Sequence, residues 1–226
     1  MRIKPLPQKG LKIGKNLVIA DLHLGYEISM TSKGVYLPSI SKKIIHSLKL
    51  LIEQEKPKKL IIDGDLKHSF VPIKQEKFEL KVFFSEISPL IEEIILVKGN
   101  HDIGILWTRE LGVEVVDEIK LGKWKIVHGH KLVEGERFII GHEHPAIRLR
   151  DEVGAIIKSP VFLIGKNLVV LPAFSPWAYG NDVLREIVSP FLEYFDISES
   201  EILVPLDREI LNFGTLEKLS DMLRRI

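Results

Sequence analysis

Carboxylate, amide and imidazole side chains recur directly after short apolar runs of this sequence. In "IILVKGNHD", four apolar residues lead through Lys98 and Gly99 to Asn100, His101 and Asp102. Four more apolar runs end in the same way, and seven of the eight histidines lie at these five run ends. The other four ends carry Asp21 and His23 in "DLH", Asp65 and His68 in "GDLKH", His128 and His130 in "HGH", and His142 and His144 in "GHEH". These residue types bind divalent cations and exchange protons.

If all five ends met, the cluster would be unstable without cations. Close carboxylates repel one another, and desolvated imidazoles need partners. Oxygen and nitrogen donors without sulfur favour Mn²⁺, Fe, Zn²⁺ or Mg²⁺. The donors outnumber those that one ion with an open coordination position can use, which predicts two ions. An ordinary polar turn explains any single end but not all five together.

The apolar runs themselves predict how these residues are positioned. The segments "LVIA", "LII", "IILV", "KIV" and "FII" are short and rich in β-branched residues, as strands are. Between residues 15 and 100 they alternate with two helical patterns, which predicts βαβ units and a parallel sheet. Because ligands bind beyond the carboxyl ends of strands in open α/β sheets, the polar ends are expected to share one rim.

Two helices and a strand-rich second half complete the prediction. The first helix, in "SISKKIIHSLKLLIEQEKP", would be capped by Ser39 or Ser41, end before Pro57, and bury Ile40, Ile44, Ile45, Leu48, Leu51 and Ile52. The second, in "PIKQEKFELKVFFSEISPLI", would bury Phe78, Phe83, Phe84 and Ile87. After residue 113, "VEVVDEIKLGKWKIV" and "SPVFLIGKNLVVLP" predict hairpins, and "GTLEKLSDMLRRI" predicts a last helix.

Composition restricts the class of protein. The length of 226 residues, without a linker or low-complexity segment, predicts a single domain over 1–226. A net charge of +1, from 32 basic and 31 acidic residues, gives no global attraction to nucleic acid or membranes, although a local patch is compatible with it. The absence of cysteine excludes disulfides, thiolate metal sites and cysteine nucleophiles. We expect a cytoplasmic protein without membrane contact, and the Lys- and Glu-rich charge is typical of a thermophile.

Taken together, the motifs "DLH", "GD" (64–65), "GNHD", "HGH" and "GHEH" resemble those of the calcineurin-like metallophosphoesterase superfamily over residues 21–144. The longer forms "ADLHLGYE", "GDLKHSF" and "GHEHP" resemble a subgroup of archaeal and bacterial enzymes that includes DNA-ligase-associated phosphoesterases. Lys67 and His68 stand where many relatives have Asp or Asn. The resemblance implies an α/β fold, a four-layer αββα sandwich of two mixed β-sheets flanked by helices.

The resemblance also implies a ligand set for two divalent ions. Mn²⁺ is expected, with Fe, Zn²⁺, Ni²⁺ or Mg²⁺ as alternatives. The expected ligands are Asp21, His23 and His144 for one ion, Asn100, His128 and His142 for the other, and Asp65 as the bridge between them.

The implied activity is metal-dependent hydrolysis of phosphodiesters, and also of phosphomonoesters, by in-line attack of a water that the two ions activate. His101 is expected to face the phosphate, as a cation or a general acid, and Asp102 to orient its ring. Asn100 and His68 are further candidates for substrate contact. A nucleotide or nucleic acid is the candidate substrate. The alternative from another class is an inactive scaffold that keeps this fold as an interaction module.

The remaining candidates keep two interpretations each. His68 could touch the leaving group or lie exposed on a loop, and His130 could support a ligand or belong to a turn. His46 is expected on a helix surface. The segment 174–182 holds Phe174, Trp177 and Tyr179, which could stack a nucleobase or pack beneath a turn, the preferred interpretation. The oligomeric state is not predicted.

Overall fold

The first half of the chain forms a mostly parallel sheet. The computed structural model describes residues 2–150 and 154–223. Its first strands are β1 Ile3–Pro5, β2 Leu11–Ile13, β3 Asn16–Ala20, β4 Lys59–Asp63, β5 Glu93–Val97 and β6 Val113–Val116. They form one six-stranded sheet in chain order, in which β3 to β6 run parallel and β1 and β2 add an antiparallel edge. The predicted parallel sheet is confirmed.

The second half is built almost entirely of short strands. They are β7 Ile119–Leu121, β8 Trp124–Ile126, β9 Phe138–Ile140, β10 Pro145–Arg150, β11 Ile156–Pro160, β12 Phe162–Ile164, β13 Leu168–Val170, β14 Asn181–Asp182, β15 Glu201–Pro205 and β16 Ile210–Thr215. Seven of them form a mixed sheet in the order β16-β15-β12-β13-β9-β8-β7. The other three form a small sheet in the order β11-β10-β14, which the sequence analysis did not predict.

Of the two predicted hairpins, one is confirmed and one is only partly correct. Strands β12 and β13 pair antiparallel, as expected. In the other segment only β7 and β8 form a hairpin. Strand β6 instead joins the first sheet, parallel to β5, because its buried residues Val113 and Val115 pack into the core beneath the helices.

The helices are α1 Tyr26–Ser32, α2 Ser41–Glu55, α3 Lys74–Ile87, α4 Pro190–Tyr194 and α5 Leu216–Leu223, with short 3₁₀ turns at Ser88–Leu90 and Ile105–Leu111. None of the helices in the described part of the chain is both long enough and apolar enough to cross a membrane. All six residues predicted to face inward are buried, five of them in α2 and Ile40 directly before it. The predicted serine cap is wrong, because Ile40 occupies the N-cap position and its N–H donates to the Glu27 carboxylate at 3.2 Å.

The inward face of α3 differs from the prediction at one residue. Phe83, Phe84 and Ile87 are buried, whereas Phe78 is 64% exposed. Leu80 takes the expected inward place, because residues two apart on a helix point to nearly opposite sides. The same face also buries Glu76, four residues before Leu80, at the start of the helix.

Strand periodicity produces a four-layer arrangement. In β3, Leu17 and Ile19 face α2 and α3, while Val18 and Ala20 face the second sheet. The core between the sheets continues through residues of the second sheet such as Ile139. The outer face of the second sheet packs against α4 and α5. The expected αββα sandwich is confirmed.

Candidate metal centre

Strand ends of both sheets bring the expected ligands together. Asp21 directly follows β3. The segment from Asp21 to His23 lies beside the segment that follows β4, because Asp21 N–H donates to Gly64 O at 3.2 Å and His23 N–H donates to Asp65 O at 2.9 Å. Asn100 follows β5. The remaining three come from the second sheet, His128 after β8 and the His142–His144 pair after β9. The site therefore lies where the two sheets meet.

The side chains form two compact sets of donor atoms. Asp21, His23 and His144, here the first donor group, have ligand atoms all within 4.8 Å of one another. The Nε2 atom of His144 lies 3.2 Å from Asp21 Oδ1 and 3.3 Å from His23 Nε2. These three atoms converge on one point, as the ligands of a single cation do.

The second donor group consists of Asp65, His128 and His142 and is equally compact. His128 Nε2 lies 3.3 Å from Asp65 Oδ1 and 3.1 Å from Asn100 Oδ1, so Asn100 adjoins this group. The other oxygen of Asp65, Oδ2, lies 3.9 Å from His23 Nε2 in the first group. Asp65 thus stands between the two groups. The geometry brings together all seven expected ligands, while their binding of metal stays a prediction.

Backbone strain is concentrated at these residues. Five expected ligands have left-handed backbone conformations, with φ of 56° for Asp21, 48° for His23, 48° for Asp65, 60° for His142 and 47° for His144. Among the other non-glycine residues that the structure describes, only Lys9 and Lys56 do so. Such conformations cost about 1–2 kcal/mol each and persist at functional sites where the surroundings enforce them. Sequence reasoning had no signal for this strain.

Two motif glycines allow the close approach of the ligands. A Cβ on Gly64, where φ is +76°, would lie 2.1 Å from Nδ1 of His128. A Cβ on Gly99 would lie 2.2 Å from Oδ1 of Asp65. Because real Cβ atoms do not approach other atoms so closely, both motifs require glycine directly before the ligand they carry.

Hydrogen bonds and burial determine the orientation and the protonation of the imidazoles. His128 Nδ1 donates to the carbonyl oxygen of Asp63 at 3.0 Å, which leaves Nε2 for Asp65, Asn100 or a cation. Burial lowers the pKa of His23 to about 3 and that of His142 to about 4, so both are neutral at pH 7, the form that binds metal. Burial opposes protonation of His128, but its hydrogen bond to Asp65 raises its pKa to about 10.

The residues present fit a pair of divalent cations. Two buried carboxylates, Asp21 and Asp65, lie on either side of one imidazole, at 3.9 Å from Nδ1 and 3.3 Å from Nε2 of His128. The donors are all oxygen or nitrogen, as Mn²⁺, Fe and Zn²⁺ sites use. A third set, His23, His68 and His101, is also within 4.8 Å, but it shares His23 with the first donor group.

The prediction that Asp102 orients the His101 ring is wrong. The buried Asp102 carboxylate accepts backbone N–H groups, with Oδ1 at 3.0 Å from Leu66 N and Oδ2 at 2.9 Å from Gly99 N. The ring of His101 instead contacts the carbonyl oxygen of His68 through Nδ1. Asp102 therefore ties the loop after β4 to the loop after β5. Burial raises its pKa to about 6.

The candidates that kept two interpretations in the sequence analysis differ in burial and in distance from the donor groups. His68 is half-buried beside Tyr26, with 4.8 Å between ring centroids. His130 lies 5.5 Å from His128 between ring centroids and belongs to neither donor group, while His46 is exposed on α2. In the segment 174–182, Phe174 is buried in the core and Tyr179 is 66% exposed.

Sequence reasoning missed two buried glutamates that hold the site loops. Glu143, between two expected ligands, accepts the N–H groups of Val188 and Ser189 at 2.9 and 2.7 Å. Glu76 accepts those of His68 and Ser69 at 3.1 and 2.8 Å. Its position on the apolar face of α3, four residues before Leu80, was a usable signal.

Two cavities flank the donor groups. The aromatic cavity, of about 280 Å³, adjoins the first donor group and is lined by His23, Tyr26, His68, His101, His144 and Trp177, among others. The second cavity, of about 470 Å³, adjoins the second group, and its lining includes Lys98, Asp102, Asp117, His128, His130 and Lys131 as well as several aliphatic residues. A substrate at the centre can therefore extend in two directions.

Comparisons with known proteins agree with this architecture. The profile of the family described as Calcineurin-like phosphoesterase matches residues 15–198. No curated protein sequence shows significant similarity. The crystal structure of Pseudomonas putida nuclease MPE is similar, with a TM-score of 0.71, 21% identity, and coverage of 92% of this chain and 94% of that one. This likeness shows a shared fold.

Two other solved structures are more distant. The phosphoesterase Yfce from E. coli has a TM-score of 0.44 and 13% identity, covering 88% of this chain and 98% of that chain. The protein AQ665 from Aquifex aeolicus has a TM-score of 0.38 and 22% identity, covering 56% of this chain and 77% of that chain.

Proposed function

Because the chain belongs to the calcineurin-like phosphoesterase family, we propose that it is a metal-dependent hydrolase of phosphodiesters that uses two divalent ions, with Mn²⁺ as the first choice. The observation that carries this proposal is the position of Asp65 between two donor groups, 3.3 Å from His128 Nε2 and 3.9 Å from His23 Nε2. A carboxylate with one oxygen toward each group is suited to bridge two ions.

The bound ions would supply positive charge that lowers the pKa of water and neutralises the phosphoryl oxygens. The chain's own residues then have separate tasks. Asn100 adds an oxygen donor without adding negative charge that would repel phosphate. The backbone N–H of His101 donates to Asp65 Oδ1 at 3.0 Å, which fixes the loop that carries the imidazole.

His101 is the proposed general acid. Its Nδ1 is engaged by the His68 carbonyl, so Nε2 is the nitrogen free to hold a proton. This Nε2 lies 3.8 Å from Asp65 Oδ2, at the edge of the aromatic cavity. From there it would give its proton to the oxygen that leaves phosphorus.

We also propose a nucleotide or nucleic acid as substrate and a relationship to DNA-ligase-associated phosphoesterases. The support is the motif forms "ADLHLGYE", "GDLKHSF" and "GHEHP", together with a fold shared with a nuclease over 92% of the chain. The presence of every expected ligand and of His101 favours an enzyme over an inactive scaffold.

Hydrolysis of bis-p-nitrophenyl phosphate tests the proposal. We expect turnover with Mn²⁺ that EDTA abolishes and excess Mn²⁺ restores. His101→Ala should keep its metal and lose at least about a hundredfold in kcat, the range of a general acid. Asp65→Asn should lose both metal and turnover, because a neutral amide bridges two cations poorly.

His46→Ala is the matched control, since it removes an exposed imidazole outside the site. It should leave metal content and turnover unchanged. Metal-loaded protein that cleaves no phosphodiester would favour the scaffold, and full activity in His101→Ala would remove its assignment as the acid.

A further inference from the structure

Two rings that line the aromatic cavity, those of Tyr26 and Trp177, have no task in the proposed mechanism. Tyr26 and Trp177 are nearly parallel, with ring centroids 6.2 Å apart and an interplanar angle of 22°. Both rings are partly exposed and line the cavity that also contains His101. This pair comes from distant parts of the chain, the start of α1 and the loop after β13.

Backbone contacts place the second of these rings firmly. Phe174 N–H donates to Ala20 O at 2.8 Å, and Ser175 N–H donates to Asp21 O at 3.2 Å. The loop that bears Trp177 thus extends alongside a residue of the first donor group. Trp177 is thereby placed beside the reaction centre.

Two of the residues that line the cavity carry unsatisfied polar atoms. Trp177 Nε1 and His68 Nδ1 are both buried without a hydrogen-bond partner among the described residues. A purely apolar ligand would leave these atoms unpaired, which is unfavourable. A nucleobase has both a π face that stacks on aromatic rings and a polar edge that pairs with such atoms. The volume of about 280 Å³ suits one ring-bearing group.

From these observations we propose that the aromatic cavity binds the nucleoside on the leaving-group side of a phosphodiester, with the base stacked on Tyr26 or Trp177. This inference rests on the proposed function and names its substrate class. The leaving group is assigned to this side because His101 lines the same cavity. The P–O bond on that side would break as water forms the new P–O bond, and the leaving oxygen would take a proton from His101.

Calorimetric titration with uridine 5′-monophosphate and ribose 5-phosphate, in the presence of Mn²⁺, tests the stacking directly. The two ligands share a sugar and a phosphate, and only the first carries a base. Product formation is checked by chromatography. Since stacking on an aromatic side chain strengthens binding by roughly tenfold, the wild type should bind the nucleotide about tenfold more tightly.

Two variants of the same position separate the ring from the rest of the loop. Trp177→Ala should reduce the affinity ratio of the two ligands to nearly one, with the affinity for ribose 5-phosphate unchanged. Trp177→Phe keeps an aromatic face and should keep most of the ratio. Tyr26→Ala is measured in the same way against Tyr26→Phe, which also keeps the test valid if Trp177→Ala does not fold.

A wild-type ratio near one overturns the inference, and so does an unchanged ratio in the alanine variants of both positions. In either case, metal-dependent hydrolysis of bis-p-nitrophenyl phosphate would still stand. A failure of the proposed function would instead appear as the absence of that hydrolysis.

Discussion

At the scale of single residues, the metal centre depends on more than the expected ligands. It also depends on side chains that hold the loops of the site by hydrogen bonds to their backbone. Asp102 is the clearest example, because its two oxygens accept N–H groups from two different loops. The loop after β4 carries Asp65, and the loop after β5 carries Asn100. A change at Asp102 should therefore act on stability and on the centre together.

Asp102→Asn tests this role. The amide can offer only one acceptor oxygen, and its NH₂ group would face either Gly99 N–H or the Leu66 and Lys67 N–H groups. Leaving a buried donor unpaired costs about 1–3 kcal/mol, so we expect that loss in urea unfolding. Asp117→Asn is the matched control, because Asp117 is exposed and its carboxylate makes a surface ion pair with Lys98 at 2.8 Å, and it should change stability by less than about 1 kcal/mol. Equal effects of the two changes would contradict this account.

The role of Asp102 also shows what the sequence reveals at this scale. Residue type and motif predicted which side chains gather, because strand ends of a parallel sheet share a rim. They did not predict which atoms touch, since that depends on φ values such as the 48° of Asp65. The His68 carbonyl takes the place assigned to Asp102, and nothing in the letters "NHD" distinguishes a carbonyl partner from a carboxylate partner.

At the scale of elements, the turns after the strands control how closely ligands approach. Gly64→Ala and Gly112→Ala form a matched pair, with φ of +76° and +80°. Alanine at Gly112 meets no atom within 4 Å, so only the backbone penalty of about 1–2 kcal/mol applies. Alanine at Gly64 collides with the His128 ring in addition. We expect Gly64→Ala to lose more stability in urea unfolding and also metal content, whereas Gly112→Ala keeps its metal. Full metal content in Gly64→Ala would contradict this.

The β1–β2 turn gives a pH-dependent prediction. Burial lowers the pKa of Lys9 from 10.5 to about 8. Between these two pH values the unfolded chain binds a proton that the folded chain does not, so stability rises with pH in this window. Lys9→Met lacks this titration. It should be more stable than wild type at pH 7 by about 1–2 kcal/mol, after allowance for partial exposure, and the difference should shrink by pH 10.

Thermal unfolding of wild type and Lys9→Met at both pH values measures this difference. Lys15→Met, at an exposed lysine of the following turn, is the control and should show the same small difference at pH 7 and pH 10. A difference for Lys9→Met that does not change with pH would mean that burial of the ammonium group has no effect on stability.

Element prediction from the sequence succeeded where one periodicity dominated. The inward face of α2 is correct at all six residues, because apolar spacing alone determines it. It failed at Phe78, because Leu80, two residues further on, lies on the buried side of α3 with Phe83 and Phe84, while Phe78 points to the opposite side. Strand β6 was assigned to a hairpin, although its partner is β5, which ends sixteen residues before β6 begins. Local spacing cannot show a pairing with so distant a strand.

At the scale of the whole molecule, each donor group draws on both sheets. In the first group, Asp21 and His23 follow β3 of the first sheet and His144 follows β9 of the second. In the second group, Asp65 belongs to the first sheet and His128 and His142 to the second. A cation in either group would therefore join the two halves of the sandwich, in addition to the apolar core between them.

This arrangement predicts that metal binding stabilises the entire fold. A ligand present at about a hundred times its Kd adds about 2.7 kcal/mol to the free energy of unfolding, which raises Tm by roughly 5–10 °C in a chain of this length. We expect EDTA to lower Tm by that amount in scanning calorimetry and Mn²⁺ to restore it, with a single transition in both states. Asp65→Asn should show little response to either reagent, whereas His46→Ala should respond as the wild type does. Two separate transitions in EDTA would mean that the sheets unfold independently without metal, and an unchanged wild-type Tm would mean that no cation joins them.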